Sequence, residues 1–557
     1  MRQKVISITV YKVTFSAFDG TIRVSLCMYF TDATLEMKMN KIGLMLILLT
    51  ISPLLFVSNT HSASILYLYH LGGKSTTSLH QAISKLLLKN GHQITAVSPI
   101  PLSENLANYT DLGVHDDLIK FSDEFSLEDG YKGTFANRKL VYEIQNENCK
   151  NIYRNVKLAK AVKNLKVDLV LLEIDGAECF LPFAAQFNVP IIGVTTSYFA
   201  FPDLDGVMGN PINPSSVPIP FSELSPQMNF FQRLQNTKDY VLHLLISWYY
   251  INEADSIVGE HLESPPIREL YDRIAVVFCN NHFSFLSKPT APSTVDIAGI
   301  HIGNPSPLPK EIQTFIDSSP KGVIYLSLGS AAKFSGLPKH MHDSFTNVME
   351  KLPYRVIWRH DKPEMVSNTS KNILVQKWLP QKDILAHPKV ILFITHSGIF
   401  STFEAIYFAV PMLTFPILYD QFTNAVLIKS LGAALPLELH NLNEQSLMSG
   451  INEVVQNNKY RENVKKLSNI FKDRPLNPQD TLVYWVNYVL RHKGASNLKP
   501  AGAKLPFYQH LLLDVILFLT VVIISTGYIV YSTLKTTTSL LKRLLRNKST
   551  IRKPKTS

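Results

Sequence analysis

Short β-branched or apolar runs alternate with longer amphipathic stretches along most of this chain, and that rhythm admits few folds. Strands are expected at Ile65 to Tyr69, His92 to Ser98, Asp168 to Leu172 and Pro190 to Val194, and again at Gly322 to Leu326, Arg355 to Trp358, Ile373 to Val375, Val390 to Ile394 and Pro411 to Thr414. Helices are expected over Thr77 to Lys89, Ala177 to Phe187 and Met228 to Ala254, with a loop from Gly206 to Pro226. Strands that alternate with helices form parallel sheets covered on both faces. The pattern therefore predicts an α/β protein of two Rossmann-type units joined near residue 300, at Ile300-His301-Ile302-Gly303-Asn304-Pro305.

Ligands of such sheets gather at the carboxyl ends of the strands. In the second unit Trp378 and Gln381 follow one strand, His396 to Glu404 the next, and Asp420 and Gln421 a third. A planar ring, an imidazole before a helix start and a carboxylate at three strand ends suit a nucleoside diphosphate: ring on base, helix N-H groups on phosphate, carboxylate on ribose hydroxyls. The spacing of Ser397, Ser401 and Glu404 predicts one shared helical face.

The first unit opens on Tyr69-His70-Leu71-Gly72-Gly73-Lys74-Ser75-Thr76-Thr77, which looks at first like a phosphate loop. A P-loop needs a further glycine at position 68, and Leu68 stands there. An ATP-dependent enzyme is the weaker reading on that spacing.

The formal net charge of +11 invites a nucleic-acid reading until it is located. Lys535, Lys542, Arg543, Arg546, Lys548, Arg552, Lys553 and Lys555 supply eight of those charges from a tail without acids, so no nucleic-acid surface is expected. The tail, residues 532–557, follows the apolar run Leu511 to Tyr531, which is long enough to span a membrane. A basic flank of this kind stays cytosolic. At the other end the apolar run Ile42 to Val57, after Lys38 and Lys41 and before Ser62-Ala63-Ser64, has the layout of a secretory signal covering residues 37–63. Residues 1–36 are expected to be an upstream extension of the reading frame, with Met37 or Met39 the more ordinary start. A lumenal body is thus expected, able to use the glycosylation triplets at Asn108 and Asn368 but not the one at Asn547. Cys27 precedes the signal, and Cys149, Cys179 and Cys279 are read as buried thiols; no metal spacing is present.

The segment Phe393 to Gln421, FITHSGIFSTFEAIYFAVPMLTFPILYDQ, closely resembles the signature of the UDP-glycosyltransferases. The blocks Lys377 to Pro388, Ser327 to Ser330 and Tyr484 to Ala495 are similar to further blocks of that family, so the resemblance runs from Met37 onward. The last residues, Lys553-Pro554-Lys555-Thr556-Ser557, resemble a dilysine retrieval signal of the endoplasmic reticulum. The resemblance implies a GT-B fold, two Rossmann-like domains (64–299 for the acceptor, 300–505 for the UDP-sugar) with the site in the cleft, plus one C-terminal transmembrane helix. It implies that Trp378 stacks on uracil beside Gln381 and that Glu404 binds the ribose. His396, Gly398 and Ser401 would hold the diphosphate with Ser327 and Arg359, and Asp420 and Gln421 the sugar. It also implies an inverting hexosyl transfer, glucose favoured, to small lipophilic acceptors, as in detoxification, with no metal or cofactor. Homo- or hetero-oligomers stay open.

Two positions depart from the family pattern. Ser397-Gly398 stands where Gly-Gly is usual; a β-carbon there would crowd the phosphates, or the hydroxyl would cap the helix. Thr76 stands where the family carries its catalytic histidine, and a threonine hydroxyl cannot act as a base near neutral pH. Glu173 follows the strand Asp168 to Leu172, near where the family places its acidic partner. Three substitutes are conceivable: Glu173 itself; His80, one helical turn after Thr76; and His70, less suited because the family has a turn residue there. The alternative is a homologue that binds UDP-sugar and lipophiles, or partners active relatives, without efficient turnover.

Overall fold

The computed structural model describes residues 10–18, 21–28, 62–70, 73–114, 134–163, 165–176, 178–198, 202–211, 213–329, 333–366 and 370–550. The apolar core of the signal, Asn368 and the retrieval signal lie outside them. The chain divides into two units. The first, up to His61, contributes an antiparallel hairpin of β1 (Val10–Phe18) and β2 (Thr21–Met28). The second, Ser62–Ser557, holds everything that follows.

Its first sheet is parallel and seven-stranded: β3 (Ser64–Leu68), β4 (Gln93–Val97), β5 (Tyr109–Asp111), β6 (Leu169–Glu173), β7 (Ile191–Thr195), β8 (Ile274–Cys279) and β9 (Thr294–Asp296), in the order β5-β4-β3-β6-β7-β8-β9. The second, also parallel, has β10 (Val323–Ser327), β11 (Arg355–Arg359), β12 (Ile373–Gln376), β13 (Val390–Thr395), β14 (Met412–Thr414) and β15 (Ala434–Pro436), in the order β12-β11-β10-β13-β14-β15. In both, the chain winds outward from its first strand, then returns to that strand's other side. Each sheet thus has a switch point, at β3/β6 and at β10/β13, where a crevice opens.

Period-two alternation assigns each strand's residues to two faces. Ile65, Tyr67, Leu169 and Leu171 join one core with Val323, Tyr325 and Phe393, so a single apolar body runs from one sheet to the other. Leu66, Leu68, Val170 and Leu172 fill the outer core of the first sheet, and Ile324, Leu326, Leu392 and Ile394 that of the second. Helix Pro478–His492 lies against β8 and helix Lys74–Lys89, carrying the end of the chain back to the first sheet.

The expected strands are present, displaced by a residue or two. Six others were not anticipated: the hairpin strands β1 and β2; β5, β9 and β15, which have three residues each, too few to show a pattern; and β8, an apolar run like its neighbours. Helix Pro202–Met208 enters the region expected to be loop from Gly206; proline suits a first helical position, and the turn closes with Asn210 N–H donating to Asp205 O (2.8 Å). The helix expected from Ala177 is only Phe180–Ala185. Cys149 and Cys179 form a disulfide rather than two buried thiols, with Cα atoms 6.0 Å apart. An odd cysteine count hid the pair, and Cys279 is the free, buried thiol. Helix Leu513–Thr550 continues the apolar run straight into the basic segment, and no residue of its apolar window is buried.

Candidate active site

Parallel strands put every carboxyl end on one side. In the second sheet those ends are Ser327, Arg359, Gln376 and Thr395, followed at once by the polar residues singled out above. Trp378 is 59% exposed, as a stacking platform needs. Two cations flank it: Arg359 Cζ lies 5.5 Å from the ring centroid, and Lys74 Nζ reaches over from the first sheet to 4.7 Å. Gln381, first residue of helix Gln381–Leu385, donates from Nε2 to Glu404 Oε2 (2.7 Å) and Ser401 Oγ (3.0 Å), while the Tyr325 hydroxyl donates to its Oε1 (3.3 Å). Burial pushes the Glu404 carboxyl up to about 7, against the Gln381 hydrogen bond, which lowers it.

His396 follows β13 directly. It is 8% exposed, and burial, reinforced by the Arg359 guanidinium, lowers its pKa to about 3, so the ring is neutral. Two glycines shape its slot. A β-carbon at Gly329 would lie 2.4 Å from the imidazole and one at Gly398 2.5 Å from Nε2. Arg359 Nη1 donates to Gly329 O, and Ser327 Oγ accepts from Gly329 N–H at 3.3 Å, fixing the opposite lip.

Ser397 corrects two expectations. Helix Ile399–Tyr407 begins after Gly398, which is its N-cap and offers no side chain. Ser397 therefore neither caps the helix nor shares its face with Ser401 and Glu404. Its φ of +61° lies in the left-handed region that usually demands glycine, and its hydroxyl turns inward, its one proton within reach of both His396 O (2.5 Å) and Gln421 O (2.9 Å). Asn424 Nδ2 donates to Ser397 O (2.9 Å) and to Asp420 Oδ2 (2.7 Å), tying this turn to the start of helix Asp420–Ser430. Gln421 Oε1 accepts from the N–H groups of Ile417 and Leu418 at 2.9 and 3.0 Å, bracing the loop before that helix.

The switch point of the first sheet holds a second polar group. Glu173 ends β6 with no exposed surface. Its Oε2 accepts from His70 N–H (2.8 Å) and lies 3.2 Å from His70 Nδ1; its Oε1 lies 3.1 Å from His80 Nε2. Burial raises the carboxyl, but the two histidines outweigh it and hold Glu173 well below the ordinary carboxylate range. His80 is fully buried. Its Nδ1 lies 2.6 Å from the Tyr67 hydroxyl, and the Tyr69 ring stacks on it at 4.6 Å. Both of its ring nitrogens are thereby engaged, so the structure brings His80 to Glu173 but not toward an open surface. Thr76 is turned back on its own helix start, donating from Oγ1 to Gly73 O (2.7 Å). His70 differs: Phe180 packs on its ring at 5.2 Å, and neither Nδ1 nor Nε2, both buried, has a hydrogen-bond partner among the described residues.

Asp175, two residues beyond Glu173, was not anticipated. It accepts from Thr195 Oγ1 (2.5 Å), Thr196 N–H (2.6 Å) and Thr196 Oγ1 (2.7 Å), and burial carries it to about 6. It also acts across the cleft: Asp420, lifted to about 6 mainly by burial, is raised further by the charge of Asp175. The pattern Glu-x-Asp at a strand end was the available signal, since alternate residues share a face. Lys74 was noticed only through the failed phosphate loop, and its reach to Trp378 depends on how the two sheets pack.

A family profile described as UDP-glucoronosyl and UDP-glucosyl transferase matches residues 53–549. The chain is 34% identical over 497 residues to UDP-glucosyltransferase 2 of Dactylopius coccus, covering 87% of this chain and 95% of that one. It is 30% identical to UDP-glucuronosyltransferase 1A7 of Rattus norvegicus, covering 86% and 92%. Among solved structures, the calicheamicin glycosyltransferase CalG4 superposes with a TM-score of 0.52 at 17% identity, over 77% of this chain and 99% of that one. A UDP-glucosyltransferase of Polygonum tinctorium gives 0.53 at 15%, over 78% and 100%. These neighbours share the GT-B fold of two facing parallel sheets, and with the matched profile they identify the chain as a member of the UDP-glucuronosyl and UDP-glucosyl transferase family.

Proposed function

We propose that this protein transfers glucose from UDP-glucose to the hydroxyl of a small lipophilic acceptor with inversion, using His70 and Glu173 as its basic pair. The observation that carries this reading is the buried Glu173 carboxylate, which accepts from the His70 backbone N–H and lies 3.2 Å from His70 Nδ1, while neither ring nitrogen of His70 has a hydrogen-bond partner among the described residues. A carboxylate on one imidazole nitrogen orients the ring and stabilises the imidazolium, while the other nitrogen accepts a proton. In the step proposed, the acceptor hydroxyl gives its proton to Nε2 as its oxygen bonds to the anomeric carbon. The bond from that carbon to the UDP oxygen breaks, and its electron pair leaves with UDP. On the donor side Trp378 would stack on uracil and Glu404 would accept from the ribose. His396, Ser401, Gly398, Ser327 and Arg359 would surround the diphosphate. Asp420 would hold the sugar hydroxyls, with Gln421 bracing its loop.

The body is proposed to be lumenal in the endoplasmic reticulum, anchored by the apolar part of helix Leu513–Thr550. The Cys149–Cys179 disulfide supports that side, because such bonds persist in oxidising compartments. A second reading, binding without turnover, draws on the depth of the basic pair: His70 is 2% exposed and His80 not at all. UDP release from UDP-glucose and from UDP-glucuronate, with a panel of phenols and alcohols, separates the two. Turnover with UDP-glucose that Glu173→Ala abolishes supports the transferase. UDP-glucose binding without turnover of any acceptor sinks it.

A further inference from the structure

Helix Phe230–Gly259 is apolar on the wrong side. At about 100° per residue, Phe231, Leu234, Val241, Leu245, Trp248 and Tyr249 fall within an arc of about 100°. All six are exposed, Phe231 by 76%, Leu245 by 60% and Trp248 by 59%. The opposite, buried side carries Asn236, His243 and Ser247 beside Tyr250, Ile251 and Ala254. A helix on the surface of a water-soluble body shows water its polar face. This one is held firmly all the same: Asn229 and Gln232 close a capping box at its start, and Asn236 Oδ1 accepts from Ile219 N–H at 2.7 Å. The stripe from Phe231 to Tyr249 is about 27 Å long at 1.5 Å per residue, and Lys238 is the one charged side chain within its arc.

We infer that this stripe lies in the lipid headgroup region of the membrane that anchors the chain, a statement that rests on the anchoring proposed above. The occupant is argued from the fold. Helix Pro202–Met208 packs against helix Phe230–Gly259 and also against the turn Ala501–Lys504, which leads through the short helix Phe507–His510 into the apolar helix from Leu513. The approach is close, since a β-carbon at Gly209 would lie 2.3 Å from the Pro500 ring. The helix that carries the stripe is therefore linked, through one short helix, to the segment that leads into the anchor. Its composition fits the interface: aromatic rings that tolerate both water and acyl chains, and a lysine long enough to bring its ammonium to the headgroups. Lipophilic acceptors dissolved in the bilayer would then be held beside the first sheet.

The test uses the full chain in phosphatidylcholine vesicles with ordinary or brominated acyl chains. The tryptophans are Trp248, Trp358, Trp378 and Trp485, and none lies in the spanning helix, so bromine quenching reports on the body. Emission is expected to fall in brominated vesicles, and the fall is expected to vanish in Trp248→Phe. Leu245→Glu, which leaves every tryptophan in place, should weaken the quenching. Equal quenching in native and Trp248→Phe chains, or none in either, overturns the inference. So does a detergent-solubilised dimer that Leu245→Glu converts to monomer, since a second copy would then cover the stripe. A chain that does not sediment with vesicles at all refutes the anchoring as well, whereas one that sediments without Trp248 quenching refutes only the stripe.

Discussion

Gly398→Ala isolates the geometry of the donor slot. The backbone at Gly398 has φ −59°, which alanine adopts freely, so the substitution acts only through its methyl group. That carbon would sit 2.5 Å from His396 Nε2 and 3.0 Å from Cε1. Ordinary contact needs roughly 3.5 Å, so the ring must move by about 1 Å. Its room to move is limited, because the imidazole also lies so close to the Gly329 backbone that a β-carbon there would come within 2.4 Å of it. Overpacking of this kind costs about 1–3 kcal/mol. If the cost falls on the shape that receives the diphosphate, UDP-glucose affinity drops by about 5- to 150-fold. Titration calorimetry with UDP-glucose reads this directly, with far-ultraviolet circular dichroism confirming the fold. Affinity within twofold of the native chain would show that the wedge between Gly329 and Gly398 does not shape the donor site.

Ser397→Gly removes one hydroxyl donor, shared between the carbonyls of His396 and Gln421, but relieves a left-handed φ; the two effects, each about 1 kcal/mol, should nearly cancel in a melting experiment. A loss above about 2 kcal/mol would contradict that balance. Glu404 is largely protonated below its raised value of about 7, so UDP-glucose affinity should rise from pH 6 to pH 8 as the carboxylate forms, and Glu404→Gln should flatten the rise. The same shift has the opposite sign for stability. The folded chain binds this proton more tightly than the unfolded one, so Glu404 contributes stability at low pH that is lost as pH climbs from about 4.5 to 7. An affinity independent of pH would count against Glu404 as the ribose acceptor. Closing a loop across a separation of 30 residues, the Cys149–Cys179 bond should contribute about 3–4 kcal/mol on the chain-entropy account. A reductant should therefore lower the melting temperature of the native chain but not that of Cys149→Ala/Cys179→Ala, and a melting temperature indifferent to reductant would refute it.

The two parallel α/β units were legible because each central strand is a short, nearly pure apolar run such as Leu169 to Leu172 or Val323 to Leu326, bounded by turn residues, whereas the order of the strands was not. The donor-side residues were legible for a related reason, as Trp378, His396 and Asp420 follow their strands by fixed, short intervals. The acceptor side was harder. Whether His70 or His80 serves Glu173 depends on ring orientation and on whether Tyr67 and Tyr69 occupy His80. Helix spacing could bring His80 near, but not show that both its nitrogens were spoken for. Ser397 was misjudged because a serine before a helix usually caps it, and only the backbone turn shows it one residue too early. The disulfide was hidden by a third cysteine and by the 30 residues between its halves.

The central claim is that His70 carries the proton, and the most direct measurement is UDP release by the full chain with acceptors of graded acidity. The His70→Ala chain should lose about a hundred- to ten-thousand-fold in kcat with aliphatic alcohols, much less with acidic phenols that hardly need a base, and should keep its affinity for UDP-glucose. Turnover unchanged in His70→Ala, or activity that appears only when Thr76→His restores a histidine at the helix start, would contradict the account.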